Sequence, residues 1–196
     1  MIGPPPAGAR ALEIGCGTGP VSCHVAARGY DVLGVDLSLT AIRMAERFAA
    51  EQHLPARFAL HDVLELPGEN LFDLIVDGHC LHCIAYADRA RLLATVRRLL
   101  KPGGAVIVET MPRHPTIRFD DHFLLGDKGG LWRRCSDRNA EDTRVIDGEG
   151  VHPNRRILAP EALDEELRCA GFVVEWSLTV VEERPGDPQN YQAILR

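Results

Sequence analysis

Short apolar runs recur along this chain, and stretches with helical spacing fall between most of them. Ala11, Leu12 and Ile14 form the first run. Asp31–Asp36, Ala56–His61, Phe72–Asp77 and Ala105–Glu109 form the next four. Runs of this length, bounded by glycine, proline or acids, read as strands buried on both faces. Helices fall between them. Val21–Arg28 is stopped by Gly29. Leu39–Gln52 is capped by Ser38 and apolar at Ile42, Ala45, Phe48 and Ala49. A third helix, capped by Asp88, runs to Leu100; Leu92, Leu93, Val96, Leu99 and Leu100 face inward and Arg89, Arg97 and Arg98 outward. Lys101-Pro-Gly-Gly104 ends it. Strand and helix in alternation predict a doubly wound, Rossmann-like α/β fold around a mostly parallel sheet.

The alternation lapses over residues 112–157, which are polar, mixed in charge and punctuated by Gly126, Gly129, Gly130, Gly148 and Gly150. A connection this long within one domain is functional or has structure of its own. A helix from Pro160 to Ala170, closed by Gly171, precedes a long strand, Phe172–Val181. A turn around Pro185-Gly-Asp-Pro188 leads to a last strand, Tyr191–Leu195. These two strands have no helix between them and should pair as an antiparallel C-terminal hairpin. The reading is a seven-stranded sheet in a single domain over residues 1–196, with 112–157 as an insertion.

The stretch Ala11-Leu-Glu-Ile-Gly-Cys-Gly-Thr-Gly19 carries the first chemistry. A strand runs into a glycine turn, and Pro20 suits the first turn of the helix that follows. Such a junction forms a nucleotide-binding crevice. The dinucleotide pattern G-x-G-x-x-G is not met, because Pro20 stands where its third glycine would be. The pattern present is Glu13-x-Gly15-x-Gly17-x-Gly19, which resembles motif I of the class I S-adenosylmethionine-dependent methyltransferases. Asp36 ends the second strand, where a carboxylate can accept hydrogen bonds from both ribose hydroxyls. His61-Asp62-Val63 resembles the family segment after strand three. Phe72-Asp-Leu-Ile-Val-Asp-Gly-His-Cys-Leu-His-Cys-Ile84 resembles the segment after strand four. The element order now matches the family along nearly the whole chain, and the resemblance implies the strand order 3-2-1-4-5-7-6.

The resemblance also implies roles. Gly15, Cys16, Gly17, Thr18 and Gly19 would lie against S-adenosylmethionine, with Cys16 a small filler. Glu13 would help orient the methionine ammonium; the alternative is a buried acid bonded to backbone N–H groups of the turn. Asp36, with Leu37 beside it, would hold the ribose. Asp62 would receive the adenine amino group next to Val63, or be a plain turn former. Backbone carbonyls near Asp77 and Gly78 would hold the ammonium. His79, with His82 as second candidate, would face the acceptor and take its proton. Cys80 and Cys83 invite a metal or redox reading. A structural zinc needs a second ligand pair, absent at suitable spacing, so no metal is expected.

Composition narrows the class. A net charge of -6 and a pI near 5.7 argue against general nucleic-acid binding. No apolar run approaches membrane-spanning length and no signal peptide is read at the N-terminus, so the expectation is a cytoplasmic chain with its six cysteines reduced. The expected activity is methyl transfer to N, O or S of a small molecule. The alternatives are a non-catalytic cofactor-binding or partner subunit, and a methylase of protein or RNA. Family members carry covering helices before strand one, and this chain has few residues there. The insertion is therefore expected to act as substrate cap, with His114, Arg118, His122 and Trp132 as contacts; covering a sheet edge or forming a homodimer is its alternative use. Arg113, Arg118, Arg133 and Arg134 could meet an anionic acceptor, or pair with Asp120, Asp121 and Asp137 at the surface.

Overall fold

The apolar runs become the strands of one sheet in a computed structural model, which describes residues 4–113, 121–126, 129–135, 144–146, 148–180 and 190–196. In chain order the elements are β1 (Arg10–Ile14), α1 (Pro20–Ala26), β2 (Asp31–Asp36), α2 (Leu39–Glu51), β3 (Arg57–Leu60), β4 (Phe72–Gly78), α3 (Tyr86–Leu99) and β5 (Leu100–Thr110). Within the insertion lie β6 (Phe123–Leu125), β7 (Gly130–Arg134), β8 (Arg144–Ile146) and β9 (Glu149–Arg156). The chain then forms α4 (Pro160–Cys169), β10 (Val174–Val180) and β11 (Asn190–Leu195).

The large sheet has seven strands in the order β10-β11-β5-β4-β1-β2-β3. Counting only its own strands, this is the order the resemblance implied. β1 to β5 pair in parallel, and β11 runs antiparallel to both β5 and β10. Neighbouring residues along a strand point to opposite faces, and both faces are covered. Leu12, Ile14, Ile75 and Val106 belong to a core with Leu92 and Val96 of α3 and Leu163 and Leu167 of α4. Ala11, Val32, Leu74 and Ala105 pack with Val25 and Ala26 of α1. Removing a fully buried leucine such as Leu92 costs about 2–5 kcal/mol.

Several boundaries and faces differ from the sequence reading. α3 starts at Tyr86, with Ala85 at its N-cap, so Asp88 sits in the first turn and does not cap. Leu100 opens β5 and does not close α3. Arg89 is buried, not outward. Its guanidinium donates to Glu166 of α4 and, at its other nitrogen, to the carbonyl of Leu81. An inward arginine is stable there because its donors are met, and Glu166 also pairs with Arg156. Phe48, read as part of the buried face of α2, is 38% exposed.

The insertion is not a loop. Its described residues form a second sheet of four antiparallel strands, β6-β7-β9-β8. Leu131 and Val151 are its buried apolar side chains; Gly150 and Arg156 of β9 are buried as well, and the remaining strand positions are half-buried or exposed. The two stems of the insertion meet: the N–H of Arg113 donates to the carbonyl of Leu158 at 2.6 Å. The small sheet is therefore rooted at the carboxyl end of β5.

Candidate functional site at the carboxyl edge of the sheet

The strand order reverses between β1 and β4, and the loops after β1, β2, β3 and β4 leave from one edge there. That switch point is where ligands enter such sheets. The glycine turn after β1 is built by backbone demand. Gly15, Gly17 and Gly19 have φ of 63°, 52° and 85°, a region that disfavours side chains. Gly19 has a second reason: a Cβ there would lie 2.9 Å from Ala45 and from the ring of Phe58. A Cβ on Gly17 would meet nothing within 4 Å, so the turn faces open space at that point. Thr18 is exposed and Cys16 buried, and burial pushes the Cys16 thiol up to about 12. Pro20 opens α1 as expected.

Asp36 braces the turn. One carboxylate oxygen accepts from the N–H of Gly17 at 2.9 Å and the other from Ser38 at 2.8 Å. Each oxygen keeps further lone pairs. Leu37 beside it is 73% exposed. Asp62 accepts from the N–H of Leu64 at 2.9 Å and caps the short 3-10 turn Val63–Glu65, in which Val63 is buried. That is turn-forming geometry, and it leaves the second carboxylate oxygen for another donor.

Two buried acids lie behind the edge. Glu13 accepts a hydrogen bond from the hydroxyl of Ser22, not from the glycine turn. Its Oε1 would lie 3.1 Å from a Cβ on Gly78, so the acid reaches the carboxyl end of β4. Burial raises its pKa to about 7. Asp77 accepts at one oxygen from the N–H groups of Cys80 and Leu81, each at 2.9 Å, and its other oxygen is buried without a partner. Desolvation lifts it to about 7 against those two hydrogen bonds.

The two histidines differ sharply. His79 is exposed, has a φ of 69°, and carries Nε2 3.9 Å from a carboxylate oxygen of Glu109. Its backbone N–H donates to the Glu109 carbonyl at 2.8 Å. His82 is 4% exposed, with Nδ1 3.1 Å from the Thr110 hydroxyl and 3.3 Å from the N–H of Met111. Burial and the nearby cations hold its pKa down near 4. The rings meet edge to face at 5.8 Å. Cys80 packs under Gly15, whose added Cβ would sit 2.7 Å away. Burial raises both the Cys80 and Cys83 thiols, and the described residues contain no cluster of three or more His, Cys, Asp or Glu placed for a metal.

Of the expected cap contacts, His114 and Arg118 lie outside the described residues. Trp132 lines a cavity of about 410 Å³ between α3 and the small sheet; His122 is exposed and does not line it. Arg134 pairs with Glu149, and its guanidinium also meets the Asp121 carbonyl.

Residues 11–104 match a family model described as a methyltransferase domain. Over 170 residues the chain is 35% identical to a ubiquinone biosynthesis O-methyltransferase of Alkalilimnicola ehrlichii, a match that covers 85% of this chain. It belongs to the class I S-adenosylmethionine-dependent methyltransferase family. The chain spans 62% of that relative's length. Among solved structures, it is similar to a methyltransferase from Methanosarcina mazei, with a TM-score of 0.77, 22% identity, and 98% of this chain and 93% of that one covered. It is also similar to 1,6-didemethyltoxoflavin-N1-methyltransferase of Burkholderia thailandensis, solved with 1,6-didemethyltoxoflavin and S-adenosylhomocysteine. That match has a TM-score of 0.69, 23% identity, and covers 97% of this chain and 71% of that one.

Sequence reasoning missed Ser22, Glu109, Thr110 and Met111. Glu109 lies at the carboxyl end of its strand as Asp36 and Asp77 do, and that signal was there to be used. Ser22 carries no such mark, because its role depends on which face of α1 meets Glu13. Among the described residues, no helix is long and apolar enough to cross a membrane.

Proposed function

We propose that this chain transfers the methyl group of S-adenosylmethionine to N, O or S of a small molecule. The observation that carries this is the crevice edge itself. Three positive-φ glycines, the open space over Gly17, and the acids Asp36, Asp62 and Asp77 converge at the switch point of the sheet. The cofactor supplies an electrophilic methyl on a sulfonium. Asp36 would bind the ribose hydroxyls while it braces Gly17. Asp62, with Val63 beside it, would hold the adenine. Carbonyls near Asp77 and Gly78 would hold the ammonium, and Glu13 beneath Gly78 adds negative potential once ionised.

Transfer is a single in-line displacement. A lone pair of the acceptor forms the bond to the methyl carbon, the carbon–sulfur bond breaks, and its electrons stay on sulfur. Where the acceptor carries a proton, His79 takes it. The residues mainly align the partners and exclude water, which can contribute several kcal/mol. We read residues 112–157 as the cap that completes the site.

Calorimetry tests the reading. S-adenosylmethionine or S-adenosylhomocysteine should bind and NAD should not. Asp36→Ala should weaken binding about 10–100-fold by removing charge-assisted hydrogen bonds. Affinity for NAD without affinity for the sulfonium cofactor would overturn it.

A further inference from the structure

The cavity of about 410 Å³ is walled by the start of α3, by β7 and by β9. Its volume suits a small organic ligand. Tyr86, Leu131 and Trp132 give it aromatic and aliphatic surface, and Arg144, Arg155 and Arg156 give it charge. Among the described residues no Asp or Glu lies on its wall, although the chain as a whole carries a net charge of -6.

The three arginines are not equivalent. Arg156 is committed to Glu166 and lies 4.9 Å above the Tyr86 ring. Arg144 lies 5.4 Å from the Trp132 ring centre and has no carboxylate partner among the described residues. Arg155 has none either, and its polar neighbour is the sulfur of Met111 at 3.8 Å. The N-terminus of α3, Ala85 to Ala87, completes the wall, and no side chain caps it. The positive end of the helix dipole lies on the same side as the guanidinium groups. Planar guanidinium groups over aromatic rings leave flat surfaces, which match flat ligands better than branched ones.

The cavity also adjoins the proton-accepting edge. Cys83 on its wall has its sulfur 3.7 Å from the carbonyl of His79. Met111, which contacts Arg155, directs its N–H at His82.

We propose that this cavity holds the methyl acceptor and that the acceptor is a planar conjugated ring bearing a carboxylate. The inference rests on the methyl-transfer reading above and adds the substrate class. The ring lies among Tyr86, Trp132 and Leu131, and Arg144 and Arg155 hold the carboxylate, which fixes the end of the ring presented to His79. Charge-assisted, fork-shaped hydrogen bonds suit that recognition.

The test is calorimetry on the whole chain saturated with S-adenosylhomocysteine. The probes are 1-hydroxy-2-naphthoate, its uncharged carboxamide, and cyclohexanecarboxylate. The naphthoate should bind on the order of 10-fold or more tighter than either of the others. Arg144→Gln and Arg155→Gln should each remove most of the preference for acid over amide, with unchanged affinity for S-adenosylhomocysteine. Equal binding of acid and amide, no binding of any probe, or an acid preference that survives both substitutions would overturn the proposal. Failure of the wild-type chain to bind S-adenosylhomocysteine would instead overturn the methyl-transfer reading beneath it.

Discussion

The backbone N–H of Met111 points at Nδ1 of His82 from 3.3 Å, so that nitrogen accepts and the ring proton sits on Nε2. A neutral ring fixed in that tautomer has no lone pair left for an acceptor's proton. His82 therefore positions the end of β5, which leaves His79 as the candidate base. The arrangement has a pH signature. The native ring resists protonation until about pH 4, whereas the unfolded ring titrates at its ordinary 6.5. Its contribution to stability is thus present above pH 6.5 and lost as pH falls toward 4. Glu13 and Asp77, both raised, act in the opposite sense, since their buried charge destabilises the fold as pH rises toward 7. His82→Asn keeps an oxygen where Nδ1 accepts and removes the titration. Denaturant melts at pH 7 and 4.5 should show the wild type losing roughly 2–3 kcal/mol more than the variant. Parallel losses would show that His82 is not held neutral.

Glu109 lies where it can steady the His79 ring, with Nε2 3.9 Å from its carboxylate. Asn190 and Gln192 of β11 donate to the same oxygen, which holds the carboxylate in place. His79→Ala should lower the single-turnover rate about 10²–10⁴-fold for an acceptor that must lose a proton, with S-adenosylhomocysteine affinity nearly unchanged. Glu109→Gln should give a smaller loss and shift the pH profile of the rate. Unaltered turnover in His79→Ala would reduce that side chain to packing.

The glycine turn separates fold from binding at two positions two residues apart. An alanine methyl at Gly17 enters open space, so the cost to the fold is backbone strain of about 1 kcal/mol. The same methyl would stand where the ligand must approach, and cofactor affinity should fall at least about 10-fold. At Gly19 the methyl collides with Ala45 and Phe58, and Gly19→Ala should unfold at clearly lower denaturant. A comparison of melts and calorimetry for the two variants checks this. Normal cofactor binding by a folded Gly17→Ala would move the ligand away from the turn.

What was legible in the chain depended on how local its cause was. The central strands β1, β4 and β5 could be read because burial on both faces demands continuous apolar runs. The glycine turn could be read because its backbone angles exclude other residues. Arg89 could not, because its burial depends on Glu166, 77 residues away. The state of His82 depends on Thr110 and Met111, brought to it by the pairing of β4 with β5. The strands of the insertion were hidden because few of their positions are buried, which leaves little alternation to detect.

The insertion gives the last prediction. Its stems are joined by the bond from Arg113 to Leu158, so its removal need not open the large sheet. Ile157, fully buried, and the pair Arg156–Glu166 lie on the C-terminal stem and should be kept. Replacing residues 115–152 with a short Gly-Ser linker leaves both in place and removes Trp132, Arg144 and the strands that carry them. The glycine turn, Asp36, Asp62 and Asp77 are untouched. If the insertion is the substrate cap, the shortened chain should keep the cooperative melt of the sheet and bind S-adenosylhomocysteine within about 10-fold of the full chain. Methyl transfer should fall below detection, since the acceptor loses both its wall and its shield from water. Circular dichroism, calorimetry and a turnover assay on the same preparation separate these outcomes. Specific turnover in the shortened, folded chain would place acceptor recognition on the large sheet.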